Sequence, residues 1–230
     1  MCRLMMANRE GIKHIEREYG LENLFNYLER QLGGHGNGIC LIYNDGSYHI
    51  NKGVCLTNEE IAESILTDIK NLKWVIYHTR LASVGSISNR NCHPFEDDGR
   101  VLAMNGTERN YTVINKYLTD TENILLSTEN IANGTKEYHS VFLGYENGKV
   151  FANKNYGSLE YIPCKNGGKV FASSFPSKCY TTETVYEAPQ YFIEGTRMKS
   201  LTPVKRRYYD FGVYGVYSTY EGYKKQAKAY

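Results

Sequence analysis

The sequence contains the stretch HTRLASVGSISNRNCHPF, which spans residues 78–95. It continues the apolar run KWVIY, which predicts a buried strand, and residues 83–99 are rich in Gly, Ser, Asn and Asp, which predicts a loop. Arg80 ends the strand and opens the loop, where its guanidinium is well placed to grip a carboxylate. His93-Pro94 lies at the far end of the loop. As single residues, Arg80 in a surface ion pair and His93 satisfied in a turn are equally good interpretations.

Upstream of this stretch, Cys2 follows the initiator Met. A cysteine is small enough for routine removal of that Met, which would leave a free α-amine beside the thiol. The amine has an ordinary pKa of about 8, close to that of the thiol. It can therefore serve as the general base for its own side chain. Taken alone, a buried cysteine near the start is the commoner interpretation.

Two places downstream carry polar groups suited to catalysis. Asn105-Gly106 closes the predicted strand VLAMNG. An Asn amide and the next backbone N–H can point two donors at one oxygen, as an oxyanion hole requires, although an ordinary N-G turn is commoner. Asp120 precedes a short helix predicted over residues 122–131. Its carboxylate suits either a helix N-cap or an ammonium group.

Together these segments resemble a known family. MCR, HTRLASVG, NCHPF, MNGTERN and TDTENI occur in this order from residue 1 to residue 124. They are similar to the class II glutamine amidotransferases, the N-terminal-nucleophile (Ntn) glutaminases of glucosamine-6-phosphate synthase, amidophosphoribosyltransferase and asparagine synthetase. Each motif is weak alone, but five in register are specific. The chain departs from the family's pattern at Arg3, Leu81 and Met104, where the family often has Gly, Trp and His.

The resemblance implies the reaction and its reacting groups. Cys2 matches the nucleophile, with its own amine as the base. Asn105 and the Gly106 amide match the oxyanion hole. The implied reaction is hydrolysis of the side-chain amide of glutamine through a thioester, which needs no cofactor and no metal.

The resemblance also implies a substrate site. Arg80 matches the arginine that grips the α-carboxylate of glutamine, and Asp120 matches the acid that grips its α-ammonium. Ser83 takes the place of a Thr that supports the glutamine, and His93 matches a histidine that supports the pocket. These roles agree with the unaided chemistry, because a zwitterionic amino acid needs one cation and one anion at a fixed separation.

The remaining pattern predicts an α+β domain. Helical spacing of apolar residues predicts a helix that ends at Gly33-Gly34, and a capping box predicts another that begins at Thr57. A D-G turn between two β-prone runs predicts a hairpin, and strands predominate after residue 138. This order indicates α+β architecture with a large antiparallel sheet. The resemblance implies the Ntn-hydrolase αββα four-layer sandwich with two antiparallel sheets.

Composition limits location and partners. The net charge of +2 gives no argument for a nucleic acid or a membrane as partner. The sequence has no apolar run long enough to span a bilayer, and its start lacks the apolar region of a secretory signal. Its six cysteines include no C-x-x-C pair. We therefore expect reduced cysteines and a cytoplasmic protein.

The chain divides into an amidotransferase-like domain, residues 1–202, and a basic, Tyr-rich tail, residues 203–230. The tail has a local excess of four positive charges and a Tyr at every third position from 214 to 223. Its rings either pack on the domain or dock an acidic partner; binding of single-stranded nucleic acid is a weaker interpretation. The sequence contains no phosphate-binding Gly-rich motif. A synthase partner would therefore supply the ammonia acceptor, or the enzyme hydrolyses an amide on its own.

The alternative from another functional class is a catalytically silent glutaminase-like scaffold that docks through this tail. A fold that has lost activity usually loses its nucleophile or its oxyanion donors first. Cys2, Asn105 and Gly106 are all present, which favours an enzyme.

Overall fold

The computed structural model describes residues 2–198 and 201–204. The strands in these residues are β1 (Arg3–Asn8), β2 (Asn37–Tyr43), β3 (Tyr48–Gly53), β4 (Leu72–Thr79), β5 (Phe95–Asp97), β6 (Arg100–Asn105), β7 (Val141–Glu146), β8 (Lys149–Lys154), β9 (Glu160–Pro163), β10 (Lys169–Ala172), β11 (Tyr186–Glu187) and β12 (Tyr191–Ile193). The helices are α1 (Arg9–Tyr19), α2 (Leu21–Leu32), α3 (Asn58–Asp68), α4 (Asp120–Ser127), α5 (Ile131–Gly134) and α6 (Ser177–Thr182).

Local signals fix the ends of the first three helices. The Asn8 side chain caps α1 by accepting the N–H of Gly11. Gly20, at φ 77°, separates α1 from α2. This backbone conformation is unfavourable for residues that have a Cβ. The Thr57–Glu60 capping box opens α3. The predicted helix boundaries at Gly33 and Thr57 are therefore confirmed.

The strands form two antiparallel sheets. A seven-stranded sheet has the order β11-β9-β10-β1-β4-β2-β3, and a five-stranded sheet has the order β12-β8-β7-β6-β5. The first strand of the chain lies between β4 and β10 of the larger sheet, so both of its edges are hydrogen-bonded. This central position holds the start of the chain inside the domain.

Three apolar clusters show how the layers stack. The first cluster packs α1, α2 and α3 on the outer face of the larger sheet and includes the stacked rings of Phe25 and Tyr77. The second fills the space between the two sheets and includes Phe171 and Phe192. The third packs α4 and α5 on the outer face of the smaller sheet. The order is helix, sheet, sheet, helix, which confirms the expected α+β αββα sandwich.

The structure corrects three details of the sequence prediction. The loop of residues 83–99 contains β5, because Asp98 and Gly99 both have positive φ and form a two-residue turn that pairs β5 with β6. The helix predicted over 122–131 begins earlier, at Asp120, and ends at Ser127. The short elements α6 and β11 carry too few residues for periodicity to detect them.

The described chain ends with an extended segment beside β11. The backbone N–H of Glu187 donates to Thr202 O at 2.8 Å, that of Val204 donates to Val185 O at 2.8 Å, and Pro203 bridges Tyr186. The basic tail assigned from the sequence lies outside the described residues from 205 onward. Among the described helices, none is long and apolar enough to cross a membrane.

Candidate active site

One pocket collects residues from four distant segments. The segments are the start of β1, the loop after β4, the loop after β6 and the start of α4. The pocket is lined by Cys2, Arg80, Leu81, Ser83, Val84, His93, Met104, Gly106, Thr119, Asp120 and Thr121. Six of the seven residues predicted for the site line the pocket. The seventh, Asn105, is adjacent to Gly106 but does not line the pocket.

Cys2 is held at the bottom of the pocket by main-chain contacts. Its side chain is 6% exposed, and its Sγ lies 3.4 Å from the N and 3.6 Å from the O of Leu81. The Arg3 guanidinium donates to the Cys2 carbonyl at 3.1 Å. Burial raises the pKa of the Cys2 thiol, which outweighs the lowering by the Leu81 backbone and by the charge of Arg80. This shift favours the neutral thiol while Met1 is attached, and a neutral thiol needs a base before it can attack.

Arg80 organises the loop that covers one side of the pocket. Its Nη1 donates to Ser86 O at 2.8 Å and its Nη2 donates to Val84 O at 2.7 Å. A guanidinium has five N–H donors, so further donors remain for another acceptor. Burial lowers the pKa of Arg80 from its usual value.

The loop between α2 and β2 fastens the Arg80 segment from behind. The main chain of Arg80 forms two hydrogen bonds with this loop. Its N–H donates to Gly36 O at 2.8 Å, and its carbonyl accepts the N–H of His35 at 2.9 Å. The Ala82 N–H donates to Nδ1 of His35 at 2.9 Å. This acceptor role requires an unprotonated Nδ1. His35 thus orders the first residues of the pocket loop, a role that needs tertiary proximity and was missed by the sequence analysis.

Gly106 follows β6 at a place where a side chain does not fit. A Cβ there would lie 2.6 Å from Ser140 Cβ and closer still to Ser140 Oγ. Ser140 is buried and donates its hydroxyl proton to the Glu108 carboxylate. The adjacent Asn105 is 5% exposed, and its Oδ1 has no hydrogen-bond partner in the described part of the chain. The close approach of Ser140 explains why this position is Gly.

Asp120 is the first residue of α4, whereas the N-cap is Thr119. Thr119 forms a full capping box with Glu122, so an N-cap role for Asp120 is wrong. The Asp120 carboxylate instead accepts the backbone N–H of Glu108 at 3.0 Å and that of Thr121 at 2.9 Å. Burial raises the pKa of Asp120, the backbone donors oppose that shift, and the charge of Glu108 adds to it. A cation bound beside Asp120 would stabilise its ionised form.

The two remaining predicted residues, Ser83 and His93, also line the pocket. Ser83 is exposed, and its Oγ lies 2.7 Å from Oγ1 of Thr107, which joins the loops after β4 and β6. His93 is buried, and its Nδ1 accepts the N–H of Met104 at 3.2 Å. His93 also stacks on His78, which the sequence analysis did not single out.

The described residues hold no group of three or more His, Cys, Asp or Glu side chains arranged to bind a metal ion. All six cysteines have free thiols. The arrangement brings a thiol, the Gly106 backbone, a guanidinium and a carboxylate together around one pocket.

Comparison with solved structures identifies this fold. The glutamine phosphoribosylpyrophosphate amidotransferase of B. subtilis superposes with a TM-score of 0.56 and 16% identity over 84% of this chain and 47% of its own. An allosteric regulatory enzyme of purine biosynthesis superposes with a TM-score of 0.59 and 17% identity over 89% of this chain and 49% of its own. This chain therefore spans about half the length of the two proteins.

Sequence comparison identifies no family for this chain. No family model matches the chain, and none of the curated proteins matches it. The structural likeness and the layer order agree with each other. The chain has the αββα Ntn-hydrolase fold that the class II glutamine amidotransferases share.

Proposed function

We propose that this protein is an N-terminal cysteine amidohydrolase that releases ammonia from glutamine. One observation carries the proposal: Cys2, Gly106, Arg80 and Asp120 line the same pocket although they come from four separate segments. A cation and an anion on one cavity suit the two charged ends of an amino acid, and the thiol suits attack on its amide.

In the first step, the Cys2 sulfur attacks the side-chain amide carbon of glutamine. Removal of Met1 gives Cys2 the α-amine that takes its proton, which the neutral buried thiol requires. The C–S bond forms, and the amide oxygen becomes an oxyanion. The Gly106 N–H in the pocket wall would bind it, and the side-chain amide of Asn105, which is adjacent to Gly106 but outside that wall, would be the second donor. The ammonium of Cys2 gives its proton to the amide nitrogen, the C–N bond breaks, and ammonia leaves.

In the second step, water hydrolyses the γ-glutamyl thioester. The same amine removes a proton from the water, the C–O bond forms, and the C–S bond breaks. Glutamate and the free thiol result, so the cycle consumes one water and needs no redox partner. The oxyanion donors act again because this step also passes through a tetrahedral intermediate.

The charged ends of the substrate determine its orientation. Arg80 has N–H donors beyond those bound to the loop carbonyls, and these would accept the α-carboxylate. Asp120 would take the α-ammonium. In this orientation the side-chain amide reaches towards Cys2. The ammonia then passes to an acceptor on a synthase partner or is released to solvent.

The experiment is mass spectrometry of the intact protein before and after treatment with a diazoketone analogue of glutamine. We expect loss of the Met1 mass and a single adduct, absent from Cys2→Ala. Retention of Met1, or processed protein without an adduct, would reject a glutamine-cleaving enzyme and favour the scaffold alternative.

A kinetic test addresses the oxyanion hole. Asn105→Ala should lower kcat by about 10²–10³-fold, the typical loss for one oxyanion donor. Asn51→Ala, on the exposed side of β3, is the matched control and should keep the kcat of the wild type. Full turnover in Asn105→Ala would remove Asn105 from the mechanism.

A further inference from the structure

Two imidazole rings are stacked in the interior beside the end of β6. The ring centroids of His78 and His93 are 4.1 Å apart, and the ring planes are inclined by 13°. His78 belongs to β4 of the larger sheet, and His93 belongs to the loop before β5. His78 has no exposed surface and His93 has 5%. Such complete burial of two titratable rings requires a structural or functional reason.

Both rings bind the main chain of one residue, Met104. The Met104 N–H donates to His93 Nδ1 at 3.2 Å, and His78 Nε2 lies 3.1 Å from Met104 O. On its other side β6 pairs with β7, with Met104 opposite Phe142. The pairing of β5 with β6 ends at Phe95 and Leu102, so no strand is opposite Met104 on that edge. The two rings occupy the hydrogen-bonding positions that a longer β5 would have filled.

The hydrogen-bond partners fix the protonation of both rings. A backbone N–H is always a donor, so His93 Nδ1 must be unprotonated, and a carbonyl is always an acceptor, so His78 Nε2 must carry a proton. His93 is therefore neutral, and His78 is neutral because its complete burial disfavours a charged ring. Burial lowers the pKa of His78 to about 3, and it also lowers that of His93. For His93 the neighbouring His78 acts in the same direction, and for both rings so do the positive charges of Arg80 and Lys52.

We infer that His78 and His93 are positioning residues for the oxyanion hole, an inference that rests on the proposed function. Met104 immediately precedes the Asn105-Gly106 pair. Gly106 directly follows the last residue of β6, so fixing the Met104 main chain also restrains the Asn105–Gly106 peptide that carries the Gly106 N–H. The two histidines hold this donor in place, and neither is one of the groups proposed to react.

His78 gives the sharper test because it does not line the pocket. His78→Gln keeps an N–H donor near the position of Nε2, whereas His78→Leu removes it. We expect His78→Leu to lower kcat by about 10²-fold, the loss expected for a displacement of about 1 Å, with KM for glutamine almost unchanged. His78→Gln should recover most of kcat. His49→Leu, an exposed site on β3, is the matched control.

Alkylation of the thiol separates positioning from general damage. Iodoacetamide reacts with a thiol without forming an oxyanion, so His78→Leu should be alkylated at Cys2 at the rate of the wild type. A kcat that is unchanged in His78→Leu, or lost equally in His78→Gln, would overturn the inference.

Amide hydrogen exchange distinguishes failure of this inference from failure of the proposed function. If the wild type cleaves no glutamine, the proposed function fails, but exchange at Met104 and Gly106 can still be measured. Faster exchange at these two amides in His78→Leu, with that of Leu4 in β1 unchanged, supports the clamp. Equal exchange in both proteins overturns it, whatever the turnover.

Discussion

Lowering the pH from 7 to 5 should weaken the fold through the His78 ring. This ring is fully buried, and its pKa is lowered to about 3 by burial and, to a smaller extent, by the charges of Arg80 and Lys52. In the unfolded chain a histidine titrates at about 6.5. The unfolded state therefore binds a proton first as the pH falls. The stability that the neutral ring contributes is fully present above about pH 6.5 and is lost progressively as the pH falls towards 3.

The magnitude follows from proton linkage. One proton of difference between the folded and unfolded states changes the free energy of unfolding by about 1.4 kcal/mol per pH unit. Integrated from pH 7 to pH 5 with the two pKa values above, the loss assigned to His78 is about 2 kcal/mol. Other groups titrate in this range, so the effect of one ring must be measured as a difference. His78→Gln provides the comparison because Gln does not titrate.

The assay is urea denaturation of the wild type and His78→Gln at pH 7 and at pH 5. We expect the wild type to lose about 2 kcal/mol more than the variant between the two pH values. The ring nitrogen chemical shifts of His78 should remain those of the Nε2–H tautomer at pH 5. Equal losses in the two proteins, or a charged ring at pH 5, would refute the assignment of a neutral, donating His78.

Two further substitutions probe the surroundings of the pocket. Gly106→Ala should destabilise the protein by about 1–3 kcal/mol and reduce turnover, because the new Cβ overlaps the Ser140 side chain. The added change Ser140→Gly should restore part of the stability. A single variant that is stable in thermal denaturation and fully active in kinetic assays would contradict this contact. Thr119→Ala should reduce the free energy of unfolding by about 1 kcal/mol through loss of the α4 capping box, and an unchanged denaturation midpoint would show that the cap contributes nothing.

Much of the fold was predictable because its signals are local. The Thr57–Glu60 capping box, the Asp45-Gly46 turn and the apolar strand before Arg80 each specify their own structure within a few residues. The strand β5 was missed although its Asp98-Gly99 turn is a hairpin signal, because only three residues precede the turn in the strand. The polar composition of its surroundings outweighed that signal.

The parts of the site that the sequence did not reveal depend on contacts between distant segments. Arg80, Gly106 and Asp120 were found through the motifs that contain them, and the structure brings them to one pocket. The hydrogen bond of His78 to Met104 joins β4 to β6, and no residue spacing in the sequence predicts that tertiary contact. Asp120 also differs from its local interpretation, since Thr119 is the residue that caps α4.

The central position of β1 has a consequence for the timing of biosynthesis. Its second edge closes only when residues 170–172 pair with it, and Ser173 then bonds Leu4 through both its backbone N–H and its side chain. At translation rates of about 5–20 residues per second, those residues are made roughly 10–30 s after the N-terminus. During that interval an aminopeptidase can reach the start of the chain. Afterwards Cys2 is 6% exposed, so we expect the proposed removal of Met1 to be easiest before β10 joins the sheet.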